Sequence, residues 1–255
     1  MIQSLYTGRA GITTLQSRVD IIGANIANTN TTGYKSTRMD FKDMLYSEMQ
    51  RIVQPQDDYN MQLGHGVLPG NTLRDFKQGA LFTTGNNLDI TIEGDGFFAL
   101  ENAQGEVEYT RNGVMHGSME EDGVYLVNSD GKYFLDTDGQ RIQLPGSVSD
   151  LVVEPEGTLK NGSDPDAFGQ MAVYKFPNRE GLEAVGGNAF VSSQASGDAA
   201  LSDDTKIMQG YTEGSNVDIA LEMTRLIRTQ RAFQLAARCV TNADRMEEVA
   251  NALRT

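Results

Sequence analysis

The chain of 255 residues is 39% hydrophobic and 22% charged, an ordinary globular composition that allows one large domain or two smaller ones. Its 21 Lys and Arg against 35 Asp and Glu leave a formal net charge of −14, which demotes any surface built for nucleic-acid phosphates or anionic lipid. One cysteine (Cys239), two histidines (His65 and His116) and no tryptophan exclude an internal disulfide and a Cys/His zinc site, and leave little material for the commonest general base.

The first twenty residues place Leu5, Ile12, Leu15 and Val19 at heptad a/d positions, and Ile22 and Ile26 continue the series. This predicts a helix that needs a partner. Arg9, Arg18 and Asp20 interrupt any apolar run of signal-peptide length, and no segment reaches the length of a membrane span, so neither a cleaved secretion signal nor membrane insertion is expected. The helix is expected to end in Asn28-Thr29-Asn30-Thr31-Thr32-Gly33, with Gly33 taking a positive φ.

Residues 41–70 carry Pro55, Asp57, Asp58, Gly64, Gly66, Pro69 and Gly70 and read as an extended connector, although Phe41 to Ile52 could continue as helix. Beyond residue 71 the apolar period changes to two. Leu88 to Glu93 alternates before a Gly94-Asp95-Gly96 turn, and Phe97-Phe98-Ala99-Leu100 follows. Val124 to Val127, Lys132 to Leu135 and Arg141 to Leu144 read as strands joined by turns at Asp130-Gly131 and Asp138-Gly139. Further strands are expected at Val152-Val153, Met171 to Phe176 and Ala189 to Val191, so the centre reads as an all-β barrel or sandwich. Residues 193–210 read as a return connector.

The C-terminal stretch repeats the heptad pattern with Ile219, Leu226, Phe233 and Val240 seven apart, Met223 and Ala237 between them, and Met246, Val249 and Leu253 after a drift in register. Ser215 or Asn216 is the expected N-cap, with Asp218 in the first turn. A helix of about 35 residues, on the order of 50 Å long, is predicted. The predicted fold class is α+β: residues 1–40 and 211–255 form a helical coiled-coil domain, 41–70 a connector and 71–210 a central all-β domain. Charge follows the same division, since residues 1–40 balance at +2 and 216–255 at +1, leaving −17 for the middle.

None of the chemistry-bearing residues forms a convincing reactive site. Asp130, Asp136, Asp138, Asp164 and Asp166 are oxygen-rich, but no window has the ligand order of an EF-hand, and they read as hairpin turns. Gly94-Asp95-Gly96 and Gly64-His65-Gly66 open no helix and lack a downstream Gly-Lys-Ser/Thr, so they read as tight turns rather than phosphate loops. Paired carboxylates could serve a glycosidase, but without tryptophan and with only 7% aromatic residues the sequence does not support one. His65 and His116 read as surface or structural residues, and Cys239, beside Val240, as a small buried hydrophobe. No catalytic, cofactor or metal site is expected. The informative faces are those of the terminal helices, where Gln3, Thr7, Thr14, Gln16, Asn25 and Asn28 leave an outer surface poor in charge and suited to meeting copies of the same chain.

The run Ala24-Asn25-Ile26-Ala27-Asn28-Thr29-Asn30-Thr31-Thr32-Gly33-Tyr34-Lys35 resembles the N-terminal signature of flagellar basal-body rod and hook proteins. Gly214 to Asp218, Glu222-Met223, Ile227 to Phe233 and Asp244-Arg245-Met246 are similar to the family's closing helix. Asp89 to Phe98 and Tyr109 to Gly113 resemble its central β domain. Length and Leu63-Gly64-His65-Gly66-Val67 look most like the distal-rod branch, with proximal rod and hook subunits as alternatives. A secreted wall hydrolase or an adhesin using the same export route is the alternative from another class.

The resemblance implies a structural, non-enzymatic subunit. Its helices would pair as a coiled coil lining a helical tube that carries torque from motor to hook. Its partners would be copies of itself, neighbouring rod and hook proteins and the flagellar type III export apparatus, at an extracytoplasmic position in the basal body. Ala24, Asn25, Ala27, Asn28, Thr31, Gly33, Tyr34 and Lys35 would form the motif and helix-end turn.

Overall fold

A computed structural model describes residues 2–49, 61–120, 122–146, 148–162, 166–202 and 205–253. Pro55, Asp57, Asp58 and Asp164, named above, lie outside them. The class is α+β, with one helix near each end and strands between. The chain divides into two compact units: Met1–Ala27, Thr37–Arg74 and Asp218–Thr255 form the first, and Asn28–Ser36 with Asp75–Val217 the second.

In the first unit, helix α1 (Ile2–Ala27) packs against helix α2 (Ile219–Ala252). They run antiparallel: Gly8 meets Val240, whereas Arg18 and Ile22 share a cavity with Glu222 and Arg225. The N-cap of α2 is Asp218, whose carboxylate accepts from the Leu221 N–H at 3.1 Å, and neither Ser215 nor Asn216 fills that role. Asn216 is taken up elsewhere, as described below.

The described residues of the segment expected to be a connector, 41–49 and 61–70, are largely paired β structure. Strands β1 (Thr37–Asp43) and β4 (Val67–Arg74) form an antiparallel pair from Thr37 opposite Arg74 to Asp43 opposite Val67. Strands β2 (Tyr46–Met49) and β3 (Met61–Gly64) continue it from Tyr46 opposite Gly64. The sequence gives no alternation here because the ribbon has almost no buried face: Met39 is the one buried residue of β1. Pro69 also reads as a strand breaker, yet it sits in a two-stranded ribbon, where a missing N–H can face solvent.

The second unit is built on an antiparallel sheet of ten strands among the described residues. Strands β5 (Leu81–Thr83), β6 (Ile90–Glu93), β7 (Phe97–Glu101) and β8 (Val107–Thr110) open the unit. Of these, β7 pairs with β8, with Tyr133–Phe134 and with Val173–Lys175. It is buried on both faces, which explains its unbroken apolar run. Phe98 and Leu100 enter one core with Ile90, Ile92, Met115, Leu126 and Phe134. Phe97 and Ala99 enter the other with Phe76, Tyr109, Phe176 and Phe190. There the Phe97 ring stands edge-on to Phe76, Phe176 and Phe190 at 5.5, 5.8 and 6.0 Å, a geometry favoured by the aromatic quadrupole.

The Asp-Gly turns lie where predicted, with Gly131 and Gly139 at φ of 77° and 73°. The expected return connector at 193–210 instead holds strands Ala200–Leu201 and Lys206–Gln209, the second paired with β6.

Candidate functional site

Two constructions carry the residues singled out by the sequence: the helix pair of the first unit and the turn that follows α1.

On α1, Ile22 is buried, and Leu5, Ile12, Leu15, Val19 and Ile26 are half-buried along the same side. On α2 the predicted stripe divides. Leu226, Phe233, Ala237 and Val240 are half-buried, but Ile219, Met223, Met246, Val249 and Leu253 are exposed, Leu253 at 84%. The face turned inward instead carries Glu222, Thr229 and Ala243.

The helices come close at Gly8, where a Cβ would stand 2.6 Å from the Val240 Cγ2. The buried Ala243 lies one turn beyond Val240 on α2, where a small residue suits a close approach. Cys239 is exposed, contrary to its expected burial.

Thr14 and Asn25, expected on the outer face of α1, are buried. Thr14 donates through its hydroxyl to the Ala10 carbonyl at 2.7 Å. The Asn25 side chain spans the Thr37 backbone, donating to its carbonyl at 2.8 Å and accepting from its N–H at 2.9 Å. A side-chain amide is the one neutral group that can both donate and accept in this fork, which accounts for asparagine at this position of the motif.

The turn itself belongs to the second unit. Thr31 caps back to Asn28, its N–H to the Asn28 carbonyl at 3.2 Å and its hydroxyl to the Asn28 Oδ1 at 3.1 Å. Gly33 adopts φ 68°, and a Cβ there would lie 2.9 Å from the Asn112 backbone nitrogen, so both conformation and space require glycine. Its N–H donates to the Glu213 carbonyl at 2.8 Å. Tyr34 is buried beside it.

Lys35 is fully buried and ends the motif in an ion triad. Its ammonium donates to Glu213 Oε1 at 2.6 Å and to the Lys77 carbonyl at 2.7 Å. Arg111, also buried, places Nε 3.4 Å from Glu213 Oε2 and spends its other donors on the Gly96 and Gly94 carbonyls. The Gly79 N–H donates to Glu213 Oε1 at 2.8 Å. Burial pulls the Lys35 ammonium below its ordinary value, the Glu213 carboxylate pushes back, and Arg111 adds to the drop. Burial likewise lowers the Arg111 guanidinium, with Glu213 opposing it.

Asn216 completes the knot by accepting from the Ser36 N–H at 2.7 Å and donating to the Asp75 and Lys77 carbonyls. The donors of this cluster are spent on backbone carbonyls or on one carboxylate, which makes it a lock between chain segments.

Sequence reasoning singled out Lys35 but missed Glu213 as its partner, and Arg111 and Asn216 as members of the same cluster. The one available clue was a lysine inside a run of otherwise neutral turn residues, a position that calls for a buried carboxylate.

With the charged groups of this cluster committed to structure and α2 turning large apolar residues outward, the chain has the features of a class that packs against other protein. Comparison with known families agrees. The model described as flagella basal body rod protein matches residues 5–35, the flagellar hook protein FlgE/F/G D1 domain matches 91–161, and the flagellar basal body rod FlgEFG protein C-terminal matches 208–253. The chain is 35% identical to the flagellar basal-body rod protein FlgG of Caulobacter vibrioides over all of both chains. It is 32% identical to those of Borreliella burgdorferi, over 100% of this chain and 99% of that one, and of Bacillus subtilis, over 98% and 99%.

The chain belongs to the FlgG family of flagellar basal-body rod proteins. It is a structural subunit of the rod, of the distal-rod type, located in the flagellar basal body, where rod proteins assemble with other basal-body proteins, and its family is one of structural proteins rather than enzymes.

Proposed function

We propose that α1 and α2 pair as a coiled coil, that copies of this pair line the channel of a helical tube, and that the tube transmits torque from motor to hook. The observation that carries the reading is the exposed face of α1. From Tyr6 onward its exposed residues are Tyr6, Arg9, Thr13, Gln16, Asp20, Gly23, Ala24 and Ala27, of which only Arg9 and Asp20 are charged. A fully solvated helix face carries more charge than this, whereas a protein-packed or channel-lining face does not need it.

On this reading the seam is Leu5, Ile12, Leu15, Val19, Ile22 and Ile26 against Leu226, Phe233, Ala237 and Val240. The exposed Ile219, Met223, Met246, Val249 and Leu253 serve contacts between copies. The motif from Ala24 to Lys35 ends α1 and forms the turn that follows it. The subunit passes through the flagellar type III export apparatus and works outside the cytoplasm, beside neighbouring rod and hook proteins.

Helical reconstruction of purified rods by electron cryomicroscopy tests the arrangement. The expected map has two helices per subunit at the innermost radius. Strands at that radius would contradict it.

A further inference from the structure

Among the described residues Asn188 is the one residue other than glycine with a positive φ, at 57°. With Gly187, at φ 56°, it joins strands Glu183–Gly186 and Ala189–Val191 in a tight hairpin in which Gly186 faces Ala189. A two-residue turn whose central residues both have positive φ suits glycine best, and a Cβ at the second of them is strained. Strain of this kind persists where the surrounding contacts require it, so an asparagine at this position is held for its side chain.

That side chain reaches a residue 156 positions earlier: its Nδ2 donates to the Thr32 carbonyl at 2.9 Å. The Asn188 carbonyl accepts from the Thr110 hydroxyl at 3.0 Å, and the same hydroxyl accepts from the Asn112 N–H at 3.1 Å. Thr110 is buried, and Asn112 is the residue whose backbone closes against Gly33. Ala189 and Phe190, which follow Asn188, are buried, and the Phe190 ring stands edge-on to Phe76 at 5.3 Å, so the contact is mounted on the core. The run Tyr109 to Gly113 therefore serves the helix-end turn twice. Arg111 joins the ion triad at Lys35, while Thr110 and Asn112 build the seat of Thr32 and Gly33, nearer to α1.

We propose that Asn188, seated by Thr110, is a positioning residue for assembly: it holds the Thr32 carbonyl so that the chain leaves α1 along the same path in every copy. The consequence in the cell rests on the rod reading above, whereas the contact itself does not.

Asn188→Gly in the full chain separates the contact from the fold, because glycine adopts φ 57° without strain and only the amide is lost. Tm of the purified protein is expected to stay within about 2 °C of the unsubstituted chain, the relieved strain offsetting the lost hydrogen bond. The Gly33 and Tyr34 N–H groups, bonded to the Glu213 and Thr31 carbonyls, are expected to exchange with solvent about tenfold faster, while those of β7 keep their rates. Asn188→Asp, which tolerates the same φ but cannot donate, is expected to give the same local acceleration. Asn188→Ala keeps the strain without the contact and is expected to lower Tm by about 3 °C as well. Unchanged exchange at Gly33 and Tyr34 in the glycine variant would overturn the role of the contact. Faster exchange throughout β7 would overturn it too, by assigning Asn188 to the fold as a whole.

In flagellated cells that express Asn188→Gly from the chain's own locus, rod-bearing basal bodies are expected to fall at least about twofold, since one misdirected copy interrupts a head-to-tail array. Full rod numbers from a chain whose turn exchanges faster would overturn the assembly role. Absence of the unsubstituted chain from basal bodies would instead overturn the rod reading and leave the exchange result standing.

Discussion

Glu213→Ala is expected to destabilise the second unit by about 3–5 kcal/mol, because it leaves the Lys35 ammonium and the Arg111 guanidinium buried together with no carboxylate between them. The Gly79 N–H loses its acceptor at the same time. For a unit of this size the change corresponds to a fall in Tm of about 10 °C, read by thermal unfolding of the purified monomer. Glu101→Ala is the matched comparison. It removes an equally well-formed pair with Arg141, at 2.7 and 3.1 Å, but one open to solvent, where screening and side-chain entropy leave less than about 1 kcal/mol. Equal losses from the two substitutions would show that the triad does not hold the turn.

Ile22→Asp is expected to abolish swimming. Ile22 is 4% exposed, and its side chain borders the cavity that also holds Glu222, whose Oε2 accepts no hydrogen bond among the described residues. A second carboxylate there is buried beside a like charge and costs on the order of 3–5 kcal/mol, enough to part the helices. Ile22→Val removes one methylene, costs about 1 kcal/mol and should leave motility intact. The readout is spreading in soft agar, together with a count of rods in basal-body preparations. Normal spreading by the aspartate variant would contradict the role assigned to the pair.

The terminal helices were legible because apolar residues recur at heptad spacing over most of both segments, and the β unit because Asp-Gly turns punctuate short alternating runs. What escaped the sequence has a common physical cause, namely that the deciding partner is remote or absent from the local pattern. The ribbon of β1 and β4 lacks a buried stripe, so its period is invisible. The inward face of α2 was misjudged because it carries Glu222, Thr229 and Ala243, residues that an apolar heptad count passes over, while Met223 and Met246 are exposed. Asn216 looked like a cap, yet backbone groups at Ser36, Asp75 and Lys77 claim its side chain and leave the cap to Asp218. Lys35 was recognised through a motif, whereas Glu213, 178 positions along the chain, and Arg111 follow only from the fold that brings them to it.

The central claim is that this chain builds part of the rod. Electron microscopy of basal bodies purified from cells lacking it is the most direct measurement. A rod that stops short and carries no hook is the predicted result, with the length of the remaining stub reporting the distal position. An intact rod bearing a hook would contradict the claim.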